Sequence, residues 1–167
     1  LGGRVLTVAA PGLAQSAGGI LVSSNVGAGN KTITGAAGSA LTTSGGASEL
    51  IIHHYALGDL NINVPITGSI NLTISGPTTT NASNIGSTGA VVLNGSNTYN
   101  GRTFVNGAVL SFSDPAQLGT NPASPTVNRL NLNGGTLRYT GLGLTTLGNR
   151  GITFGGNGGV AVRLIGQ

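Results

Sequence analysis

The sequence predicts an all-β solenoid, a stack of short strands sharing one elongated apolar interior. Three observations predict it: a polar but almost uncharged, glycine-rich composition, short runs that alternate in polarity, and the regular spacing of those runs. Only 6% of residues are charged and 31 of 167 are Gly, whereas roughly a quarter of an ordinary domain is charged. Disordered chains combine low hydrophobicity with high charge; here 38% of residues are hydrophobic, which excludes that class. Stacked strands suit such a composition. Asn, Thr and Ser can ladder with their copies in the next layer, where like charges would repel.

The alternating runs come first. Val5-Leu6-Thr7-Val8, Leu60-Asn61-Ile62-Asn63-Val64, Ile70-Asn71-Leu72-Thr73-Ile74 and Leu130-Asn131-Leu132-Asn133 each place apolar residues on one face and mostly Asn or Thr on the other. That is the period-two pattern of a half-buried strand. Gly, Pro and Asn bound nearly every run, as turns require. No window of a dozen residues carries a helical stripe. Comparable runs begin near Leu50, Ile70, Ala90, Ala108, Leu130 and Gly151, at steps of about 20, 20, 18, 22 and 21 residues. Recurrence of this kind marks a solenoid, because one coil cannot bury its own apolar face. Coils of about 20 residues, stacked about 4.8 Å apart, give roughly eight layers and a rod about 40 Å long. Shorter second strands, Thr103-Phe104-Val105 and Thr136-Leu137-Arg138-Tyr139, fall between the main runs. Before residue 50 the intervals are irregular, although Ile20-Leu21-Val22 and Thr32-Ile33-Thr34 fit strands. The reading is therefore 1–49 as irregular N-terminal coils and 50–167 as the regular part. A β-sandwich is the structural alternative, since Asn94-Gly95, Asn100-Gly101, Asn106-Gly107 and Asn133-Gly134 could each close a hairpin.

From Val91 to Leu110 the chain resembles the autotransporter-associated β-strand repeat. The likeness is carried by Asn94-Gly95-Ser96-Asn97-Thr98-Tyr99-Asn100-Gly101-Arg102-Thr103-Phe104-Val105-Asn106-Gly107-Ala108. Leu118-Gly119, the run Leu130–Tyr139 and the run Asn149–Gly159 follow in the order usual for that repeat, so the likeness covers about 90–162. It implies a right-handed parallel β-helix in the passenger region of a secreted or surface-displayed bacterial protein. It implies no catalytic activity, because the repeat is a building element. Asn97, Thr98, Tyr99, Gly101, Thr103 and Gly107 are then structural. Tyr99 is expected to cover a corner with its hydroxyl free for water or backbone. Gly95, Gly101 and Gly107 are expected to take positive backbone angles there. Asn97 and Asn100 are expected to bond their own backbone or ladder with Asn in adjacent coils.

Residues for chemistry are scarce. Glu49, Asp59 and Asp114 are the only carboxylates, and their spacing does not suggest the facing pair that glycoside hydrolysis needs. His53 and His54 are adjacent, so on a regular strand they point to opposite faces and cannot share a metal. Gly155-Gly156-Asn157-Gly158-Gly159 lacks the recurring Asp of a calcium-binding glycine-rich repeat. No Gly-x-Ser-x-Gly elbow occurs. Asn30, Asn71, Asn81 and Asn94 open Asn-x-Ser/Thr triplets, which arise by chance in so Asn- and Thr-rich a chain. We therefore expect no enzyme, no catalytic residue, no metal and no cofactor.

The net charge of +4 comes from seven singly spread Lys and Arg, with no Trp and only three Tyr and three Phe, so no basic patch with stacking platforms is present for nucleic acid. There is no Cys and no Met, as suits an excerpt of an exported protein. No opening signal segment occurs, and no apolar run reaches the roughly 18 to 20 residues of a membrane helix. The first functional expectation is a structural spacer or self-assembling extracellular fibre at the bacterial surface. Its partners would be further copies of itself or continuation of a larger chain, stacked end to end. The alternative is an adhesin module binding glycans or host surface through Tyr55, Tyr99 and Tyr139. A polysaccharide-acting β-helix enzyme is a distant third.

Overall fold

A computed structural model describes residues 4–8, 15–16, 18–43, 48–77, 89–143 and 145–162. Its strands are β1 (Arg4–Val8), β2 (Gln15–Ser16), β3 (Gly19–Val22), β4 (Lys31–Gly35), β5 (Leu41–Thr42), β6 (Glu49–His54), β7 (Leu60–Ile62), β8 (Asn71–Ser75), β9 (Val91–Leu93), β10 (Thr103–Asn106), β11 (Val109–Phe112), β12 (Thr126–Asn133), β13 (Thr136–Tyr139), β14 (Arg150–Gly155) and β15 (Gly159–Val162). Among the described residues helix is confined to short 3-10 turns such as Pro115–Leu118. No helix among the described residues is long and apolar enough to cross a membrane.

Two large sheets hold all of these strands but β2 and β5. One has 7 strands in the order β1-β4-β7-β9-β11-β13-β15, the other has 6 in the order β3-β6-β8-β10-β12-β14. Strand pairing is parallel in both sheets. Parallel neighbours cannot be joined by a hairpin. The turn at Asn106-Gly107 accordingly carries the chain from β10 in one sheet to β11 in the other, and the sandwich alternative fails. β1, β3 and β4, which precede residue 50, belong to the same two sheets as the strands that follow.

Register builds the core. Ile20, Ile52, Ile74, Val105 and Leu132 align across one sheet, beside Leu50, Leu72, Thr103 and Leu130. Across the other, Leu60, Val91, Leu110 and Leu137 align. Leu50 and every residue of the two apolar ladders from Ile52 and Leu60 onward are buried and belong to one continuous cluster. Each such side chain contributes about 1.5–3 kcal/mol by leaving water, and because period-two alternation is in phase from strand to strand, like packs on like.

The repeat length differs from the sequence expectation. Leu50 aligns with Leu72, Leu72 with Thr103, Thr103 with Leu130 and Leu130 with Ile152, steps of 22, 31, 27 and 22 residues. The interval of about 20 arose from counting two sheets as one series. The runs near Leu50, Ile70, Leu130 and Gly151 lie at strands of the six-stranded sheet, whereas those near Ala90 and Ala108 lie at β9 and β11 of the other. Longer steps mean fewer layers than the eight expected, and the longest sheet has 7 strands.

A third line of contacts runs beside the two sheets. β2 pairs with β5, Leu41 bridges to Ile66, and the Thr98 amide donates to the Ile66 carbonyl at 2.9 Å. Thr120 N–H then donates to the Tyr99 carbonyl at 2.9 Å, one step further along.

Close approach also explains a glycine. Gly101 is not among the positive-φ residues, and neither is Gly95; of the three motif glycines only Gly107 is, at φ 70. Gly101 N–H donates to the Ile70 carbonyl at 3.0 Å, and a Cβ at Gly101 would fall well inside van der Waals contact with that carbonyl. The missing side chain is what lets adjacent passes touch. Gly101→Val is expected to cost about 1–3 kcal/mol by overpacking, read as a lowered urea midpoint. Gly143→Val, where a Cβ meets nothing within 4 Å, is expected to leave the midpoint within about 0.5 kcal/mol of the parent.

Candidate functional site

The Asn97–Thr103 segment forms a corner on the third line of contacts. Asn97 is buried; its Oδ1 accepts from Ile66 N–H at 2.7 Å, and its Nδ2 donates to the Gln117 carbonyl. Its own N–H donates to the Ala116 carbonyl at 3.0 Å. One side chain thus ties together two neighbouring passes. Asn100 Nδ2 donates to Ser69 Oγ at 3.3 Å. The Asn-to-Asn ladders form elsewhere, Asn94 to Asn63 at 2.8 Å and Asn133 to Asn106 at 2.9 Å.

Tyr99 corrects an expectation. It is wholly buried, its hydroxyl shares a 2.8 Å hydrogen bond with Thr103 Oγ1, and burial pushes its ionisation up to about 12. It therefore cannot belong to an exposed binding face. The ring is enclosed because Gly119, at φ 76, passes over it: a Cβ there would sit 2.6 Å from the Tyr99 carbonyl and 2.9 Å from the ring. Thr98, by contrast, is exposed. Tyr55 is exposed and stacks on His53 with ring centroids 6.3 Å apart. Tyr139 is half-buried, packs on Phe112 and donates its hydroxyl to the Gly143 carbonyl at 3.0 Å. These ring contacts lie at the end of β6 and on β13, in different sheets, so the three tyrosines do not converge.

Two arginines gather beside Tyr99. Arg129 donates to the Asn100 and Thr120 carbonyls, and Arg150 to the Leu147 and Gly119 carbonyls. Both are buried, and desolvation lowers both below the usual guanidinium value. Neither had a sequence signal, because three of their four carbonyl partners lie 9 to 31 residues away. The Asp114–Gln117 unit did have one. Asp-Pro-Ala-Gln reads as a capping box with Pro in the first turn, and Asp114 Oδ1 accepts from Ala116 N–H at 2.7 Å while Gln117 Oε1 accepts from Asp114 N–H at 3.2 Å.

The other polar candidates are occupied locally. Glu49 accepts from the Thr73 hydroxyl, and Asp59 Oδ1 from Ala90 N–H at 2.8 Å. With Asp114 at its turn, the three carboxylates sit on separate elements. Among the described residues no three His, Cys, Asp or Glu gather as a metal site. Of the Asn-x-Ser/Thr triplets, Asn81 lies outside the described residues, as does Arg163.

His53 and His54 do face opposite ways, His54 inward. Neither nitrogen of the His54 ring has a hydrogen-bond partner of good geometry, although the Gly58 carbonyl lies close enough to favour the charged ring. Burial dominates and lowers its affinity for a proton, reinforced by Lys31 and opposed by Gly58 and Asp59. Below the ordinary value of 6.5 the unfolded chain therefore binds this proton first. Stability is present above about pH 6.5 and is lost as pH falls through the lower folded value. The urea midpoint of the parent should drop from pH 7 to pH 5, and His54→Leu should reduce that drop.

The geometry defines a parallel all-β chain whose motif residues build a corner between stacked passes. In an alignment 166 residues long that covers 93% of this chain, it is 35% identical to the adhesin BmaC autotransporter of Brucella suis biovar 1 (strain 1330), and it spans only 4% of that protein's length. No family model matches the chain, and no solved structure matches it.

Between the corner, the Pro115–Leu118 turn and the segment 146–150 lies an open groove of about 550 Å³. Ser96, Asn97, Thr98, Thr120, Asn121 and Arg150 contribute to its wall.

Proposed function

We propose that the chain is a right-handed parallel β-helix module of an exported bacterial surface protein, a structural spacer and not an enzyme. The observation that carries this is the parallel register, in which apolar ladders run strand after strand through both sheets. Similarity to an autotransporter adhesin supports the exported setting. At one end of the stack Phe154 continues the Val105–Leu132 ladder and Val160 the Leu110–Leu137 ladder, yet they are 56% and 47% exposed. Interior side chains and open strand edges need a cover. Further copies of the chain, or continuation of a larger one stacked end to end, would supply it.

Immunolabelling of intact cells expressing the parent polypeptide tests the setting: surface labelling is expected, and labelling only after lysis contradicts it. Sedimentation of the 167-residue chain tests the end. Concentration-dependent association weakened by Phe154→Lys is expected, and a monomer at all concentrations contradicts an uncovered end.

A further inference from the structure

We propose that the groove beside the Asn97 corner binds an acidic saccharide, with the charged group of the sugar received by Arg150. Arg150 carries an uncompensated charge. Arg150 is only 6% exposed, and no carboxylate is within ion-pair reach of it among the described residues. Its guanidinium carries five N–H donors. Two are used by the Leu147 and Gly119 carbonyls, and Nε is buried without a partner, so the remaining N–H groups of the two terminal nitrogens are the ones an acid in the groove would meet. Arg129, on the neighbouring strand β12, is likewise held only by carbonyls. The nearest acid in sequence, Asp114, is engaged with the Ala116 amide and is not part of the wall. A buried guanidinium with spare donors is complementary to a carboxylate or sulfate, which it can grip by charge-assisted hydrogen bonds.

The remainder of the groove suits a sugar, which has apolar faces and a polar rim, because its exposed wall is mainly apolar and carries uncharged polar groups. Ser96, Thr98, Thr120, Asn121 and Thr146 line it and are exposed, offering hydroxyls and an amide without a formal charge. No aromatic or large aliphatic side chain is among its lining residues, so an apolar peptide anchor finds no socket. Three passes of the chain contribute to the wall, and passes repeat about every 4.8 Å, a geometry that suits a linear polymer lying along the stack. The inference goes beyond the spacer reading and fails separately from it, because the core ladders hold whether or not the groove is filled.

Titration calorimetry on the 167-residue chain tests it with four probes: tetragalacturonate, a heparin-derived tetrasaccharide, neutral maltotetraose and inorganic sulfate. Saturable binding of at least one acidic oligosaccharide, with none of maltotetraose, is the expected result. Ser96→Trp, an exposed wall position, should abolish binding while leaving the melting curve unchanged. Arg150→Gln should weaken binding by about 10- to 100-fold, the loss of one charged hydrogen bond; if that variant does not fold, Ser96→Trp decides. Failure of both acidic probes, equal binding of maltotetraose, sulfate binding as tight as the oligosaccharides, or indifference to Ser96→Trp each overturns the proposal.

Discussion

Tyr99→Ala is expected to destabilise the fold by about 3–5 kcal/mol, the range for emptying a buried aromatic site. The ring is fully enclosed, and its site cannot collapse easily. Gly119 above it is held at φ 76, and the Tyr99 carbonyl receives the Thr120 amide from the next pass. The hydroxyl contributes separately. Tyr99→Phe strands the Thr103 hydroxyl and Thr103→Val strands that of Tyr99, each costing about 1–3 kcal/mol. Both changes together should cost less than their sum, because neither group then lacks a partner. Urea unfolding of the four proteins measures the cycle. A strictly additive result would show that the 2.8 Å contact between the two oxygens contributes no coupling.

Leu72→Ala is the second large effect, about 2–5 kcal/mol. Leu72 has no exposed surface and lies between Leu50 and Thr103 in register, so its loss opens a void shared by three successive strands. The comparison is Leu142→Ala. Leu142 is 89% exposed and its truncation should stay within about 0.5 kcal/mol of the parent. Equal effects at the two sites, by chemical denaturation, would contradict the assignment of Leu72 to the interior.

Much of the strand structure was legible because its cause is local. β10 and β13 coincide with Thr103-Phe104-Val105 and Thr136–Tyr139, where alternation and Gly or Asn boundaries act within a few residues. Sheet membership was not legible, since both sheets use the same period-two code; hence the repeat read as about 20 residues where register gives 22 to 31. The corner was half legible. Asn97, Gly101 and Gly107 were identified as structural, but a tyrosine amid Asn and Gly looks like a surface residue. Gly119 and Thr120, some twenty residues on, are what seal it in. Gly101 shows the same limit, for its close contact is with Ile70 in another pass. Arg129 and Arg150, scattered cations in one dimension, become neighbours of Tyr99 only once the passes are stacked.

Passes of 22 to 31 residues lie in parallel register, one upon the next, and disulfide trapping tests this arrangement directly. The chain has no native Cys to interfere. Asn106 and Asn133 each directly follow a registered pair, Val105 and Leu132, and their side chains bond at 2.9 Å across 27 residues, the close-neighbour placement a disulfide needs. Oxidation of the Asn106→Cys/Asn133→Cys variant should close the bridge rapidly and raise stability, while Phe104→Cys/Val109→Cys should stay reduced because β10 and β11 lie in different sheets. Rapid closure of the second pair and not the first is the pattern of a hairpin at Asn106-Gly107, and it would contradict the parallel stack.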